Sequence, residues 1–296
     1  MPTLDTPALI AQTTDLELII RHVLAGLGHG MHAGRERGAG VEFSEYRAYA
    51  PGDEWRRVDW KLMARADRYY VREAERDSHV AVWLWLDATA SMDEPSRRID
   101  GLTKLQYARA MLACVAAIAQ RQGDAFGLIV CSGARVQFTP ASRGPRQMHR
   151  VLAQLSKARA SGTLPPADAL RASLHFARAP SLVFAVSDFL DWPSAQSEAL
   201  LRLRRMRHDV RALCLQTEAE RDASFALDQS WRDPEQDDGV YRLSADTLGQ
   251  YRRARDEHLA QVMGQSRKND LPVLSACIED GLPGVLRRWL RQAGAA

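Results

Sequence analysis

Uninterrupted apolar segments that alternate with helical patterns constrain the fold of this chain more than any other feature. Residues 80–86 are apolar at every position, and related segments follow at residues 125–131, 182–186 and 212–215. A continuous apolar strand is typical of a parallel sheet with both faces covered by helices. Strands that alternate with helices in this way predict an α/β fold with a doubly wound, mostly parallel sheet.

Two regions depart from the alternating pattern. At the start, residues 14–27 carry apolar side chains on one helical face, and Thr14 or Asp15 can cap that helix. A Gly-rich, basic and aromatic stretch follows, so we predict an N-terminal α+β appendage over residues 1–77 and one α/β domain over residues 78–296. Within that domain, the polar residues 218–246 predict a β-excursion with a turn at "EQDDG".

Composition limits the classes of function. The chain has 296 residues and a net charge of +3, which is too weak to indicate a nucleic-acid partner by bulk electrostatics. The beginning of the chain lacks a secretory signal pattern, and no apolar run is long enough to cross a membrane. We therefore expect a cytoplasmic protein with no nucleic-acid partner and no direct membrane insertion. Its four cysteines lie in apolar stretches without C-x-x-C spacing, which predicts buried, reduced thiols.

Oxygen-bearing side chains follow two of the predicted buried strands. Asp87 ends the first strand, with Thr89 and Ser91 at alternate positions after it, and Asp188 follows the strand at residues 181–187. Side chains two apart in extended backbone point the same way, and ligands bind at the carboxyl ends of strands in such sheets. If the two strands are neighbours, these oxygens meet, and Thr163 opens a third loop. Oxygen ligands favour Mg²⁺ or Mn²⁺ over zinc.

The sequence alone allows other interpretations of these residues. A serine or threonine after a strand is also a common helix cap, so "DATAS" could be a capping loop. Competing catalytic signatures are weaker: the loop after Asp87 has no G-x-G-x-x-G pattern, the chain has no G-x-S-x-G elbow, and no H-E-x-x-H is present. Thr89 also stands where an aspartyl phosphotransferase would commonly carry a second aspartate.

"LDATASM" resembles the D-x-S-x-S metal-ion-dependent adhesion site of von Willebrand factor A domains. The resemblance implies metal ligands at Asp87, Thr89, Ser91, Thr163 and Asp188, with threonine replacing the usual first serine. The stretch from Gly34 to Glu75 is similar to the signature of the bacterial domain-of-unknown-function family 58, in which an A-like domain follows directly. The signature positions expected to be scaffold or interface are Arg35, Gly38, Glu42, Phe43, Gly52, Asp53, Arg57, Asp59, Trp60 and Arg65.

The family resemblance also implies a role. Many members resemble partners of MoxR-type AAA+ ATPases, so we expect a non-enzymatic adaptor that acts in complex assembly or maturation. Membrane-bound von Willebrand factor A proteins are expected as further partners. An alternative is a metal-dependent hydrolase that uses the same ion, with Asp191 or Asp93 as general base. In a third interpretation the metal site is vestigial and the signature segment itself docks the partner.

Overall fold

The structure of this chain is a computed structural model. It describes residues 5–31, 45–49, 60, 63, 65, 69–73, 81–133, 135–174, 180–227, 230–232, 235, 240–242 and 244–292.

The chain forms two compact units. One unit combines Met1–Gly30 with Val80–Ala296, and the other comprises Met31–His79. The predicted domain division between residues 77 and 78 stays a prediction. It placed the N-terminal helical segment with the signature segment, whereas residues 1–30 belong to the same unit as the sheet. Helices α1 (Thr6–Gln12) and α2 (Leu16–Met31) contribute to the same core as the sheet, because apolar residues such as Ile19 and Val23 are buried there.

The larger unit is built on a six-stranded sheet. Its strands in chain order are β3 (Ala81–Asp87), β4 (Phe126–Ser132), β5 (Arg135–Ser142), β6 (Ser181–Ser187), β7 (Asp209–Gln216) and β10 (Val273–Cys277). Across the sheet the order is β10-β7-β6-β3-β4-β5. All neighbours pair in parallel except β4 with β5, which is antiparallel. Strand order therefore reverses at β3.

Helices cover both faces of this sheet. They are α3 (Lys104–Gln122), α4 (Pro145–Lys157), α5 (Ala167–Ser173), α6 (Ala195–Arg205), α7 (Glu218–Asp222), α8 (Ala245–Lys268) and α9 (Leu282–Arg291). The larger core draws on α1, α2, α3, α4 and α9, and the smaller core draws on α5, α6 and α8. The predicted fold class, a doubly wound and mostly parallel α/β sheet, is confirmed.

Strand β3 shows why the apolar runs are continuous. Leu84 and Leu86 face the larger core, while Trp83 and Trp85 face the smaller one. Side chains on both faces of the strand are therefore removed from water. Burial of side chains this large stabilises the fold by about 1.5–3 kcal/mol for each side chain. Alternating polar residues, typical of a half-exposed strand, would not fit here.

The predicted β-excursion is present in part. Residues 218–222 form the short helix α7 rather than a strand, because Thr217 and Glu220 make a reciprocal capping box that starts a helix. The β structure follows as an antiparallel pair, β8 (Ser230–Arg232) with β9 (Val240–Arg242). Of the predicted turn at "EQDDG", Glu235 is described and the other residues lie outside the described part of the chain.

The smaller unit contains an antiparallel pair, β1 (Glu45–Ala48) with β2 (Tyr70–Glu73). Trp60 is 54% exposed and makes an edge contact with Tyr69, and Arg65 is also exposed. The other signature positions lie outside the described residues, namely Arg35, Gly38, Glu42, Phe43, Gly52, Asp53, Arg57 and Asp59. Their role as scaffold or interface stays a prediction.

A helix needs about 20 consecutive, mostly apolar residues to cross the hydrocarbon core of a bilayer. Within the described ranges, no helix is long and apolar enough to cross a membrane.

Candidate metal-binding site

The ends of β3 and β6 lie side by side, so the condition under which the sequence analysis brings these oxygens together is met. The strands pair in parallel, with Leu86 opposite Val186. Asp87 is the last residue of β3, and Asp188 directly follows β6. Both carboxylates are buried, with Asp87 2% and Asp188 7% exposed. The sheet therefore brings two acidic side chains together at its carboxyl edge, next to the point where strand order reverses.

Asp87 is held by neutral hydrogen-bond donors. The backbone amide and the hydroxyl of Thr89 donate to Asp87 Oδ1 at 3.0 and 2.9 Å. Ser187, the last residue of β6, donates from its hydroxyl to Asp87 Oδ2 at 2.6 Å. The Ser187 hydroxyl in turn accepts from the Phe189 amide at 2.9 Å. The carboxylate is thus fixed in position by groups that carry no positive charge.

The two hydroxyls after Asp87 lie together, as their alternate spacing predicts. Thr89 Oγ1 and Ser91 Oγ are 3.1 Å apart, and both residues are almost fully buried. A short 3-10 helix spans Ala90–Asp93, with Thr89 as its N-cap. The Thr89 side chain makes no capping bond to that helix. Its hydroxyl is instead directed to Asp87, so the interpretation of "DATAS" as an ordinary capping loop is not supported for Thr89.

Asp188 is held in a different way. The ammonium of Lys104, at the start of α3, donates to Asp188 Oδ2 at 2.8 Å and to Glu220 Oε1 at 3.1 Å. Lys104 is only 1% exposed, which is rare for a lysine unless it is paired. Burial disfavours its charged form, but Asp188 and Glu220 outweigh burial and raise the pKa of Lys104.

The loop that carries Thr163 contacts the loop after β3 through backbone groups. The Ala90 amide donates to the Gly162 carbonyl at 2.9 Å, and the Ser161 amide donates to the Ala88 carbonyl at 3.0 Å. Gly162 has a φ of +58°, and a Cβ there would lie 3.0 Å from the Gly133 Cα, so this turn requires glycine. Thr163 itself is exposed.

A narrow pocket opens above the two carboxylates. Its lining residues are Asp87, Thr89, Ser91, Leu164, Ser187, Asp188, Phe189, Leu190, Asp191, Ser194, Gln196 and Glu235. Four of the five predicted ligands therefore line one pocket, and Thr163 does not, although its neighbour Leu164 does. Glu235 comes from the connection between β8 and β9 and accepts a hydrogen bond from the Ser91 amide at 3.4 Å.

The electrostatics of the pocket disfavour further negative charge. Burial and then the nearby Asp188 raise the pKa of Asp87 to about 7, against the lowering effect of the Ser187 and Thr89 hydrogen bonds. Burial also raises the pKa of Glu235, the hydrogen bonds from the Ser91 side chain and amide lower it, and Asp191 and Asp188 add smaller increases. A cation in the pocket would relieve both effects, because an opposite charge favours the ionised carboxylate.

The donor set fits a hard divalent cation. Asp87 Oδ1, Thr89 Oγ1 and Ser91 Oγ form a contiguous group of oxygens, and Asp188 lies beside Asp87. Among the described residues that line the pocket there is no histidine or cysteine, the side chains that select zinc or copper. Nowhere in the described ranges, this pocket included, are three or more His, Cys, Asp or Glu side chains grouped so that they could hold a metal ion, so the donor set here consists of two carboxylates and neutral hydroxyls.

Sequence reasoning missed three residues of this site. Ser187 carries a visible signal, because a serine that ends a buried strand next to an aspartate points to the same edge as Asp87. Lys104 carries a weaker one: it is a charged residue at the start of an otherwise apolar helix. Glu235 has none, since the polar excursion reaches Ser91 only through the tertiary fold.

The candidate bases of the hydrolase interpretation lie in different places. Asp191 lines the pocket, whereas Asp93 is exposed and lines a separate groove beside α1 and α3.

His208 is buried, and its Nδ1 accepts a hydrogen bond from the Ser181 amide at 3.1 Å, which is a structural role. The predicted buried thiols are confirmed at Cys114, Cys131, Cys214 and Cys277.

Comparison with known proteins identifies the family. A family model described as "Protein of unknown function DUF58" matches residues 45–265. The chain belongs to this family. The recognition made from the signature and the "LDATASM" loop is therefore confirmed at the level of the family.

Curated relatives of this DUF58 protein occur in mycobacteria. Uncharacterized proteins of Mycobacterium bovis and Mycobacterium tuberculosis are 31% identical to it over 222 residues, which is 71% of this chain. The match covers 66% of the length of these relatives, a little under two thirds.

Solved structures with a similar arrangement include von Willebrand factor A domains. BatB from Bacteroides thetaiotaomicron is 12% identical, with 72% of this chain and 100% of that chain covered and a TM-score of 0.41. The SpRpn10 VWA domain is 9% identical, with 71% and 94% covered and a TM-score of 0.41.

Proposed function

We propose that this DUF58 protein is a non-enzymatic adaptor whose pocket at Asp87, Thr89, Ser91 and Asp188 holds Mg²⁺ and docks an acidic side chain of a partner protein. The observation that carries the proposal is the buried Asp87 carboxylate, which accepts hydrogen bonds from the Thr89 and Ser187 hydroxyls and lies near enough to Asp188 for that charge to raise its pKa. Few carboxylates and several neutral hydroxyls leave a bound divalent ion with residual positive charge. Such an ion attracts a further carboxylate.

Each residue of the pocket would contribute to ion binding in a different way. Asp87 supplies the negative charge, and Thr89 and Ser91 supply neutral oxygens from the loop that follows it. Ser187 orients the Asp87 carboxylate, and Lys104 fixes Asp188 through the 2.8 Å contact. The ion, when bound, supplies an electrophilic centre for an anionic oxygen. Thr163 stays a predicted ligand, and it is exposed next to Leu164, which lines the pocket.

The lack of a built nucleophile supports a binding role. Among the described side chains that line the pocket there is no histidine, cysteine or lysine, so none of them supplies an imidazole to activate the serines there. A partner surface needs only the ion and the rim around it. The partner that the family resemblance implies is a MoxR-type AAA+ ATPase, with membrane-bound von Willebrand factor A proteins as further candidates.

The test is a direct binding measurement with the purified MoxR-type ATPase from the same genome. We expect wild-type protein to bind at least about tenfold more tightly in Mg²⁺ than in EDTA. Asp87→Asn, which keeps the size of the side chain, should bind equally weakly in both buffers. Asp100→Asn, on an exposed acidic residue outside the pocket, is the matched control. Tight, metal-independent binding by Asp87→Asn would contradict the proposal.

A metal-dependent hydrolase is the second candidate, and Asp191 is the observation in its favour. This carboxylate lines the pocket and could act as a general base beside the ion. The hydrolase predicts phosphoesterase turnover that disappears in Asp191→Asn while metal binding persists. The adaptor predicts no turnover above buffer in any variant, so one assay with p-nitrophenyl phosphate separates the two.

A further inference from the structure

A second concave site lies on the larger unit, in the groove beside α1 and α3. It encloses about 480 Å³, a size typical of small-molecule sites. The 3-10 helix Ala90–Asp93 contributes Ser91 to the pocket at Asp87 and Asp93 to this groove, so the two sites are neighbours with separate linings. The described residues that line the groove are Ile10, Thr13, Thr14, Leu16, Ile19, Asp93, Thr103, Leu105, Gln106, Arg109, Ser156, Arg159 and Ala160.

Two arginines give the groove its charge. Arg109 lies on α3, and Arg159 follows α4. Within the described structure, their guanidinium groups donate to main-chain carbonyls. Arg109 Nη2 donates to the Ala158 carbonyl, and Arg159 Nη1 donates to the same carbonyl at 3.0 Å and to the Ser156 carbonyl at 2.7 Å. Arg109 Nε is buried and has no acceptor among the described residues. The two guanidiniums therefore have more donors than the main chain uses.

Helix capping explains only part of this arrangement. Basic side chains often bond to the last carbonyls of a helix, and Ala158 is the C-cap of α4. One guanidinium would be enough for that carbonyl, yet two converge on it although like charges repel. Burial and then Arg159 lower the pKa of Arg109 to about 10, whereas Asp93 raises it. One carboxylate thus faces two guanidiniums, and the groove has positive charge left to attract an anion.

The rest of the lining indicates what kind of anion fits. Four buried apolar side chains form one part of it, which we call the apolar floor: Ile10, Leu16, Ile19 and Leu105. Threonine and serine hydroxyls add further polar groups, and those of Thr14 and Ser156 belong to exposed residues. A site with an apolar floor and a few convergent polar groups suits an organic molecule rather than a bare ion.

A phosphate group matches two guanidiniums better than a carboxylate does. It carries close to two negative charges and three acceptor oxygens, and arginine binds such oxygens through parallel hydrogen bonds. We infer that the groove binds a small organic phosphate, whose phosphate group is held by Arg109 and Arg159 and whose apolar part contacts the apolar floor. This site uses no metal ion, so it does not depend on the function proposed for the pocket at Asp87.

The experiment is calorimetry on the full chain in EDTA, with phenyl phosphate and inorganic phosphate as probes. We expect wild type to bind phenyl phosphate at least about threefold more tightly than inorganic phosphate, because the ring is removed from water on the apolar floor. Arg159→Gln should bind phenyl phosphate about tenfold more weakly, since charge-assisted hydrogen bonds are lost. Arg109→Lys keeps the charge but loses the planar fork, and a similar loss is expected. Arg146→Gln, on an exposed arginine of α4, is the matched control.

The outcomes also separate this site from the pocket at Asp87. Asp87→Asn should bind phenyl phosphate as wild type does, and a loss of binding in that variant would overturn the inference. Equal phenyl phosphate affinity in Arg159→Gln and Arg146→Gln would overturn it as well, as would the absence of saturable binding by wild type. Equal affinity of wild type for the two probes would overturn the assignment to an organic phosphate. None of these results changes the expected Mg²⁺ response of the pocket, which is measured separately.

Discussion

The ends of β3 and β6 are adjacent in the sheet, yet their carboxylates are stabilised in opposite ways. Asp87 accepts hydrogen bonds from neutral groups, the amide and hydroxyl of Thr89 and the hydroxyl of Ser187. Asp188 is paired with the ammonium of Lys104, which Glu220 also contacts. The end of β6 therefore carries an internal counter-ion, whereas the described residues supply none to Asp87 at the end of β3.

The difference shows where an external cation is needed. In a buried ion pair the two charges compensate each other, whereas the ionised form of a buried carboxylate with neutral partners bears a desolvation cost that no opposite charge offsets. The raised pKa of Asp87, caused first by burial and then by Asp188, reports that cost. The metal-binding role is therefore expected to centre on Asp87, with Asp188 as a fixed second carboxylate that Lys104 positions.

The largest expected effect is on the β6 side. Lys104→Met removes the ammonium but fills similar space, which leaves Asp188 and Glu220 without their cation in a buried place. We expect the free energy of unfolding to fall by about 3–5 kcal/mol, the usual cost of breaking a buried pair. Denaturant unfolding measures this, with the exposed Lys157→Met as control, expected within about 0.5 kcal/mol of wild type. A loss no larger than that of the control would mean that Asp188 does not depend on Lys104.

The next effect concerns the β3 side and the ion itself. Because only the native protein assembles the oxygen group, Mg²⁺ should raise the free energy of unfolding by about 2.7 kcal/mol at one hundred times its Kd. Thermal unfolding in EDTA and in Mg²⁺ checks this, and Asp87→Ala serves as the variant expected to show no metal response. If wild-type protein melts at the same temperature in both buffers, the loop after β3 has a structural role and does not bind Mg²⁺. The search for function would then move to the signature segment.

A smaller effect, opposite in sign to the usual result of a buried substitution, is expected for Asp87→Asn in EDTA. The folded-state pKa of Asp87 lies above the usual aspartate value, so at pH 8 its ionised form costs the folded state stability. Asparagine removes the charge and can still accept from Thr89. We expect unfolding in denaturant at pH 8 to show a gain of about 1–2 kcal/mol. A loss of similar size would show that the neutral donors already compensate the charge.

The sheet could be predicted from the sequence because a strand that is buried on both faces is apolar at consecutive positions. Trp83 to Leu86 are apolar at consecutive positions, and that pattern has few explanations other than a central strand. The N-terminal helices were harder to assign, because an amphipathic helix such as α2 shows that it packs but not against what. Glu218 to Asp222 were misjudged as β structure because the capping box at Thr217 and Glu220 is a local signal inside a polar stretch.

Within the site, sequence reasoning reached the residues whose role follows from local spacing. Thr89 and Ser91 are two apart after a strand, and Asp188 follows a strand of the same type, so their convergence needs only the strand pairing. Lys104 and Glu235 could not be found in this way. Their contacts with Asp188 and Ser91 depend on how a helix and a distant hairpin pack over the edge of the sheet.

Thr163 gives the smallest and most discriminating prediction. The family resemblance makes it a metal ligand, whereas the structure leaves it outside the pocket lining. Thr89 is 2% exposed and contacts Asp87, whereas Thr163 is exposed and is not part of the pocket lining. We therefore expect Thr163→Ala to keep Mn²⁺ affinity within about twofold, while Thr89→Val, which replaces a hydroxyl by a methyl, weakens it about tenfold. Calorimetry on the two variants provides the comparison. Equal losses would mean that the loop around Gly162 moves inward when the ion binds, and that Thr163 joins the ligands only in the metal-bound protein.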